Sequence, residues 1–311
     1  MIGLEEGSGM TQLLTRAGAF VAVIILGIFL RKIGLFKKED FRVLSAIVIK
    51  VTLPAAIITS FSANEIRPDM LVLALLGFGG GALYMLLAYV CNLRRSKEQQ
   101  AFEVLNLPGY NIGAFALPFC QSFLGPMGVV ATCLFDTGNA FICLGGSYSI
   151  ATMIKDGCGF SWKRLIKSLA TSVPFLCYII MVPLNLMHIK LPALVMELAG
   201  IASNANAFMA MLAIGVGFHL TGDKRQIGSI LRVLGTRYAV AAVLALCYYY
   251  LLPFPLQIRQ ALVILCFAPI GAAVPPFTRE MGGDVGLSSA INSMAIVCSI
   301  VFMVTLLGIM Q

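Results

Sequence analysis

Apolar residues run along this chain in long stretches, and charged residues interrupt them at near-regular intervals. A helix needs about 20 apolar residues to cross the hydrocarbon core of a bilayer, so charge-free windows of that length mark spans. Such windows lie at 70–93, 168–187, 198–218, 238–258, 260–278 and 285–311. The window 17–30 is short, but it extends to residue 11 if Arg16 snorkels. Residues 41–62 form a span interrupted by Lys50. Between Glu103 and Lys155 the one charge is Asp136, and that stretch holds two spans with Gly125-Pro126 as the turn. The pattern predicts an all-α membrane protein of ten transmembrane helices.

The loops set the orientation. Arg31, Lys32, Lys37, Lys38 and Arg42 lie in or near the first loop, Arg94, Arg95 and Lys97 in the third, and Lys155, Lys163, Arg164 and Lys167 in the fifth. Lys224, Arg225 and Arg232 flank the seventh loop and Arg279 the ninth, so odd loops hold 16 of the 22 basic residues. Even loops and the N-terminal flank hold Arg16, Arg67, Lys190 and Arg259. The positive-inside rule then puts odd loops in the cytoplasm and both termini on the non-cytoplasmic side of a plasma or inner membrane. Five is an odd number of helices, so a second set of five enters from the opposite face. The chain therefore reads as two inverted five-helix repeats, 1–160 and 161–311. Ile33-Gly-Leu-Phe before span 2 and Ile189-Lys-Leu-Pro before span 7 are weakly alike.

Composition agrees. Of 311 residues, 59% are hydrophobic and 12% charged, with a mean hydropathy of +0.92; soluble domains carry about 25% charged residues. The net charge of +8 follows from basic cytoplasmic loops, and no nucleic-acid partner is expected. The nine cysteines lie mostly in apolar runs without a CxxC spacing, so neither a metal site nor a cofactor is expected. The chain contains no GxxxxGK[ST], so direct coupling to ATP is not expected, and no HExxH or Ser/His/Asp pattern, which argues against an enzyme.

Two spans carry helix breakers at membrane depth. Span 4 reads Asn106-Leu-Pro-Gly-Tyr-Asn-Ile-Gly-Ala-Phe-Ala-Leu-Pro118, and span 9 reads Ala268-Pro-Ile-Gly-Ala-Ala-Val-Pro-Pro276. Pro108, Gly109, Pro118, Pro269 and Pro275 are the candidate break residues. Proline removes a backbone donor, and freed backbone groups persist in a bilayer only where protein, water or ligand satisfies them. Breaks at the fourth position of each half point to a central binding site, and half-helix N-termini suit an anion. Ordinary packed kinks are the plainer alternative.

At these residues the chain resembles the auxin efflux carrier family, which includes bacterial organic-anion permeases. Asn111-Ile-Gly-Ala-Phe-Ala-Leu-Pro118 is similar to the family's first crossover, and Phe135-Asp-Thr-Gly-Asn139 to its fifth-helix pattern. Ala268-Pro269 through Arg279-Glu-Met-Gly-Gly-Asp284 resembles the second crossover and the loop after it, and Leu53-Pro54 fits the second helix. Lys50 and the Pro275-Pro276 pair depart from the pattern. The resemblance implies crossing broken helices 4 and 9, a scaffold of helices 1, 2, 6 and 7 that also forms a homodimer, and a mobile domain of helices 3, 4, 5, 8, 9 and 10. It further implies elevator-like movement of a small organic anion such as a carboxylate, by a secondary active transporter or a uniporter.

Polar residues inside spans are the candidate site. A carboxylate in the bilayer marks function by default, so Asp136 is the candidate coupling group; a structural hydrogen bond is its bland role. Asn139 shares its helix face. Asn111, which the resemblance puts at the first crossover, is the leading substrate contact. Lys50 is placed to meet a carboxylate or Asp136. Asn204 and Asn206 in span 7 are candidate cavity groups, and Asn292 in span 10 is a further candidate or a structural amide. Arg237 is expected to snorkel to the cytoplasmic surface, and Gly77-Phe-Gly-Gly-Gly81 to serve close helix packing. His188 and His219 lie at span ends. A non-transporting sensor or lipid-binding module of the same fold is the alternative, and attached signalling domains would favour it.

Overall fold

The computed structural model describes residues 3–37, 39–218 and 226–310, and among them there is no strand. Lys38, His219, Lys224 and Arg225 lie outside the described residues. The helices are α1 (Gly3–Lys32), α2 (Asp40–Ala63), α3 (Pro68–Cys91), α4 (Lys97–Asn106), α5 (Ile112–Phe123) and α6 (Pro126–Asp156). There follow α7 (Trp162–Thr171), α8 (Val173–Leu186), α9 (Ala193–Gly217), α10 (Ile227–Leu251) and α11 (Leu256–Cys266). The last two are α12 (Val274–Glu280) and α13 (Val285–Met310).

Seven of these, α1, α2, α3, α6, α9, α10 and α13, are long and apolar enough to cross a membrane. An eighth span is counted if α7 and α8, bent by 74° at Ser172, are taken together. Span 4, before the Gly125-Pro126 turn, and the window at 260–278 do not yield continuous helices. Each contains a short apolar helix, α5 and α11 respectively, separated by irregular backbone from a partner, α4 and α12. Helix α10 begins eleven residues before its charge-free window and carries Arg232 and Arg237 inside it.

Local chemistry explains the interruptions. Gly109 adopts φ +78°, a left-handed conformation that costs glycine little, and it follows Pro108 where α4 stops. Two π turns, Val48–Thr52 and Ile112–Ala116, each run directly into Leu-Pro, at Pro54 and Pro118. A widened turn makes room for a ring that would clash with the preceding turn. Pro275 occupies the first turn of α12, where a missing N–H is tolerated. It therefore starts a helix after the break.

The helices pack in two groups. Helix α1 lies along α9, and α2 packs on α8 and α9. Glycines let α1 and α9 touch, since a Cβ on Gly215 would come within 2.1 Å of the Ile24 carbonyl oxygen. The second group joins α3 to α6, α4 to the C-terminal half of α6, α11 to α6 and α10, and α13 to α10, α11 and α12. The glycine cluster of α3 serves close packing: a Cβ on Gly77 would lie 2.0 Å from the Phe135 carbonyl oxygen, and one on Gly138 1.8 Å from that of Ala74.

Candidate functional site

The two breaks meet. The Asn111 N–H, on the loop between α4 and α5, donates to the Pro269 carbonyl between α11 and α12 at 2.8 Å. Behind them sits the guanidinium of Arg237, 0% exposed. Its Nη1 donates to the Leu107 carbonyl at 2.7 Å, and its Nη2 to those of Gly109 and Ala268, each at 2.8 Å. Its Cζ lies 5.3 Å from the Tyr84 ring centroid and 5.2 Å from that of Tyr110. The tyrosine faces and the carbonyls at the ends of α4 and α11, the negative ends of their dipoles, thus surround one cation. This corrects the expectation that Arg237 snorkels outward: broken backbone supplies acceptors for both of its terminal nitrogens inside the protein.

On the other side of the breaks is a cavity of about 170 Å³. It is lined by Tyr110, Asn111, Ile112, Gly113, Ala114, Gly271, Ala272 and Ala273 from the breaks, Asp136, Asn139, Ala140, Cys143 and Leu144 from α6, Ile49 and Leu53 from α2, and Ser172, Pro174, Phe175 and Tyr178 at and along α8. The cavity therefore lies between the two helix groups. The first N–H groups of a helix have no acceptor within it, and Gly113 and Ala114, in the first turn of α5, line this space.

Asp136 faces the cavity and is held from both groups. Asn139 Nδ2 donates to its Oδ1 at 2.8 Å, and the Tyr178 hydroxyl donates to its Oδ2 at 2.9 Å. Asn139 also braces the first break. Its Oδ1 accepts the Tyr110 N–H at 3.0 Å and lies 3.3 Å from Cys143 Sγ, and its Nδ2 donates to the Tyr110 carbonyl at 2.8 Å. An amide has two donors and two acceptor positions, so Asn139 is fully engaged. Asn111 lines the same cavity. Asn292 on α13 approaches the second break, with its Nδ2 3.5 Å from the Gly271 carbonyl.

The remaining candidates lie elsewhere. Asn206 is buried between the groups, accepting from Thr52 and donating to Gln121 Oε1, both at 2.9 Å. Asn204 is exposed, and so is Lys50 in the first π turn; neither lines the cavity. Pro108, Gly109, Pro118 and Pro269 are buried around the breaks and Pro275 is half-buried. A larger cavity of about 440 Å³, lined by Glu65, Asn185, His188 and Lys190 among others, opens at the ends of α2 and α8. It contains no break backbone. Among the described residues there is no group of three or more His, Cys, Asp or Glu placed to hold a metal ion.

Sequence reasoning missed Tyr178, and nothing in its neighbourhood signals a partner for Asp136 42 residues earlier. It also underrated Arg237, whose place inside a span was the available signal.

A helical chain with several long apolar spans and a polar site where helices break is an integral membrane protein. The model of a family described as a membrane transport protein matches residues 17–157. Those residues, which include the first break, Asp136 and Asn139, match the auxin efflux carrier family domain, and that family is one of transporters. Among curated proteins none matches the chain significantly.

Proposed function

We propose that the chain carries a small organic anion with a carboxylate across the membrane, by elevator-like alternating access around the two breaks. The observation that carries this reading is the cavity between the helix groups, with backbone from both breaks and Asp136 in its wall. In it the substrate carboxylate meets the first-turn N–H groups of α5 and the Asn111 amide. Asn139 positions the break. At about 170 Å³ the space falls below the ~300–1,000 Å³ of drug-sized ligand pockets, which suits a small metabolite.

Asp136 decides the energetics. An ionised Asp136 would repel an anion in a space of low dielectric, and among the described residues no Lys, Arg or His lines the cavity to offset it. A proton on Asp136 removes the repulsion, so anion and proton enter together and the carrier is a symporter.

The ten-span architecture is supported by pairing. If α4 with α5 and α11 with α12 each form one broken span, and α8 crosses as the sixth with α7 leading into it, the count is ten in two halves, 1–160 and 161–311. Inverted symmetry then exchanges the α1–α9 contact with the α8–α2 contact, and both exist. The scaffold is α1, α2, α8 and α9, and the remaining spans move as the transport domain. Exposed Leu194, Leu198 and Ile201 on α9 form a stripe at helical spacing suited to a homodimer. The basic loops orient both termini to the non-cytoplasmic side of the cell membrane.

The test is uptake of radiolabelled malate, malonate, succinate, lactate and indole-3-acetate into proteoliposomes, with and without an imposed pH gradient. Saturable, gradient-stimulated uptake of one anion, reduced by Asn111→Ala in a folded protein, is expected. Absence of uptake across the panel in folded, inserted protein would sink the anion reading.

A further inference from the structure

Helix α7 is built unlike the spans. Three of its ten residues, Lys163, Arg164 and Lys167, are basic, and it bends away from α8 by 74°. Spans tilt about 20° from the bilayer normal, so a helix bent this far from α8 lies nearer the membrane plane than the normal. Its faces are distinct. Leu165 and Leu169 are buried against Ala140, Leu144, Phe160 and Phe175. At helical spacing the next stripe is Trp162, Ile166 and Ala170, with Trp162 66% and Ile166 60% exposed. Beside that stripe, on its far side from the buried leucines, come Lys163 and Lys167, both exposed. Arg164 turns inward to pair with Glu280 at the end of α12, its Cζ 4.0 Å from the Tyr148 ring centroid.

An exposed apolar stripe with an aromatic residue, flanked by lysines and backed by a buried stripe, matches a helix lying in the headgroup layer. Indole rings favour that layer. The lysines give the occupant its chemistry: a surface of anionic phospholipid, on the side where the basic loops gather.

We propose that α7 is an interfacial helix that seats anionic phospholipid, with Trp162 and Ile166 at the acyl boundary and Lys163 and Lys167 on the headgroups. Through Arg164 and Glu280 it joins that lipid layer to the helix that follows the second break.

Trp162 is the one tryptophan of the chain, so indole fluorescence, excited at the red edge where tyrosine does not absorb, reports from this helix alone. The intact protein is placed in nanodiscs of phosphatidylcholine containing either brominated phosphatidylglycerol or brominated phosphatidylcholine as quencher. A lysine near the surface is worth about five-fold in attraction to anionic lipid, so a several-fold preference for the phosphatidylglycerol quencher is expected. It should fall to about one in the Lys163→Gln/Lys167→Gln variant, with emission still quenched by lipid. Indole emission quenched by acrylamide and untouched by either brominated lipid would overturn the proposal. Equal quenching by the two lipids in the unaltered protein would do so too, and so would a preference that survives loss of both lysines. Transport plays no part in the readout, so the result is independent of the anion reading.

Discussion

Replacing Arg237 by methionine keeps much of the side-chain volume and removes the cation that joins the breaks. Three buried carbonyls, of Leu107, Gly109 and Ala268, lose their donors. A buried polar group left unsatisfied costs about 1–3 kcal/mol, so the sum is roughly 3–9 kcal/mol. Entry of water and relief from burying a charge lower that figure, so the expected loss lies toward its lower end, about 3 kcal/mol. That is about a hundred-fold in a local opening equilibrium, and the effect should concentrate where the bonds were. Hydrogen exchange should therefore accelerate at residues 107–113 and 268–273, with a lowered melting temperature in detergent, while α1 and α9 exchange as before. Arg237→Lys retains the charge but not the forked donor geometry, and should fall between. Tyr84→Phe, which removes a hydroxyl bonded to the Arg237 carbonyl at 2.8 Å, should cost only about 1 kcal/mol. If Arg237→Met melts and exchanges at both breaks like the unaltered protein, the cation does not hold them together and the reasoning is wrong.

Asp136→Asn should leave the fold intact and abolish stimulation of uptake by a pH gradient; gradient dependence that survives would remove Asp136 as the coupling group. Tyr178→Phe removes the donor that reaches Asp136 from the other helix group, so it should alter gradient-driven uptake while uptake of unrelated solutes stays at background; an unchanged proton dependence would show that the hydroxyl contributes nothing to coupling. Gly77→Ala would place a Cβ 2.0 Å from a backbone oxygen, and overpacking costs about 1–3 kcal/mol or more. Gly79→Ala meets nothing within 4 Å, so thermal denaturation should separate the two; equal melting points would contradict the close packing of α3 and α6.

Hydrophobic runs located the long spans because lipid exposure demands continuous apolar surface, and α3 at Pro68–Cys91 lies close to its window at 70–93. The same rule misplaced α10, since it treats every charge as a boundary. Arg237 breaks that rule, because its hydrogen-bond partners are backbone groups freed 31 residues later and some 130 residues earlier. No local pattern encodes such a meeting. The prolines and glycines told where backbone would be freed, but not which side chain would satisfy it. Asn139 and Arg237 answer that question differently. The amide matches the donor and acceptor of one residue, Tyr110, within its own half of the chain. The guanidinium has five donors and no acceptor, so it suits a site where only carbonyls are left over, and two helix C-termini meeting at one point supply such a site. Together the two residues leave the opposite side of the breaks, the first turn of α5 and Asn111, as the part still open to a ligand. The candidate site thus follows from completing the hydrogen-bond accounting of the broken backbone.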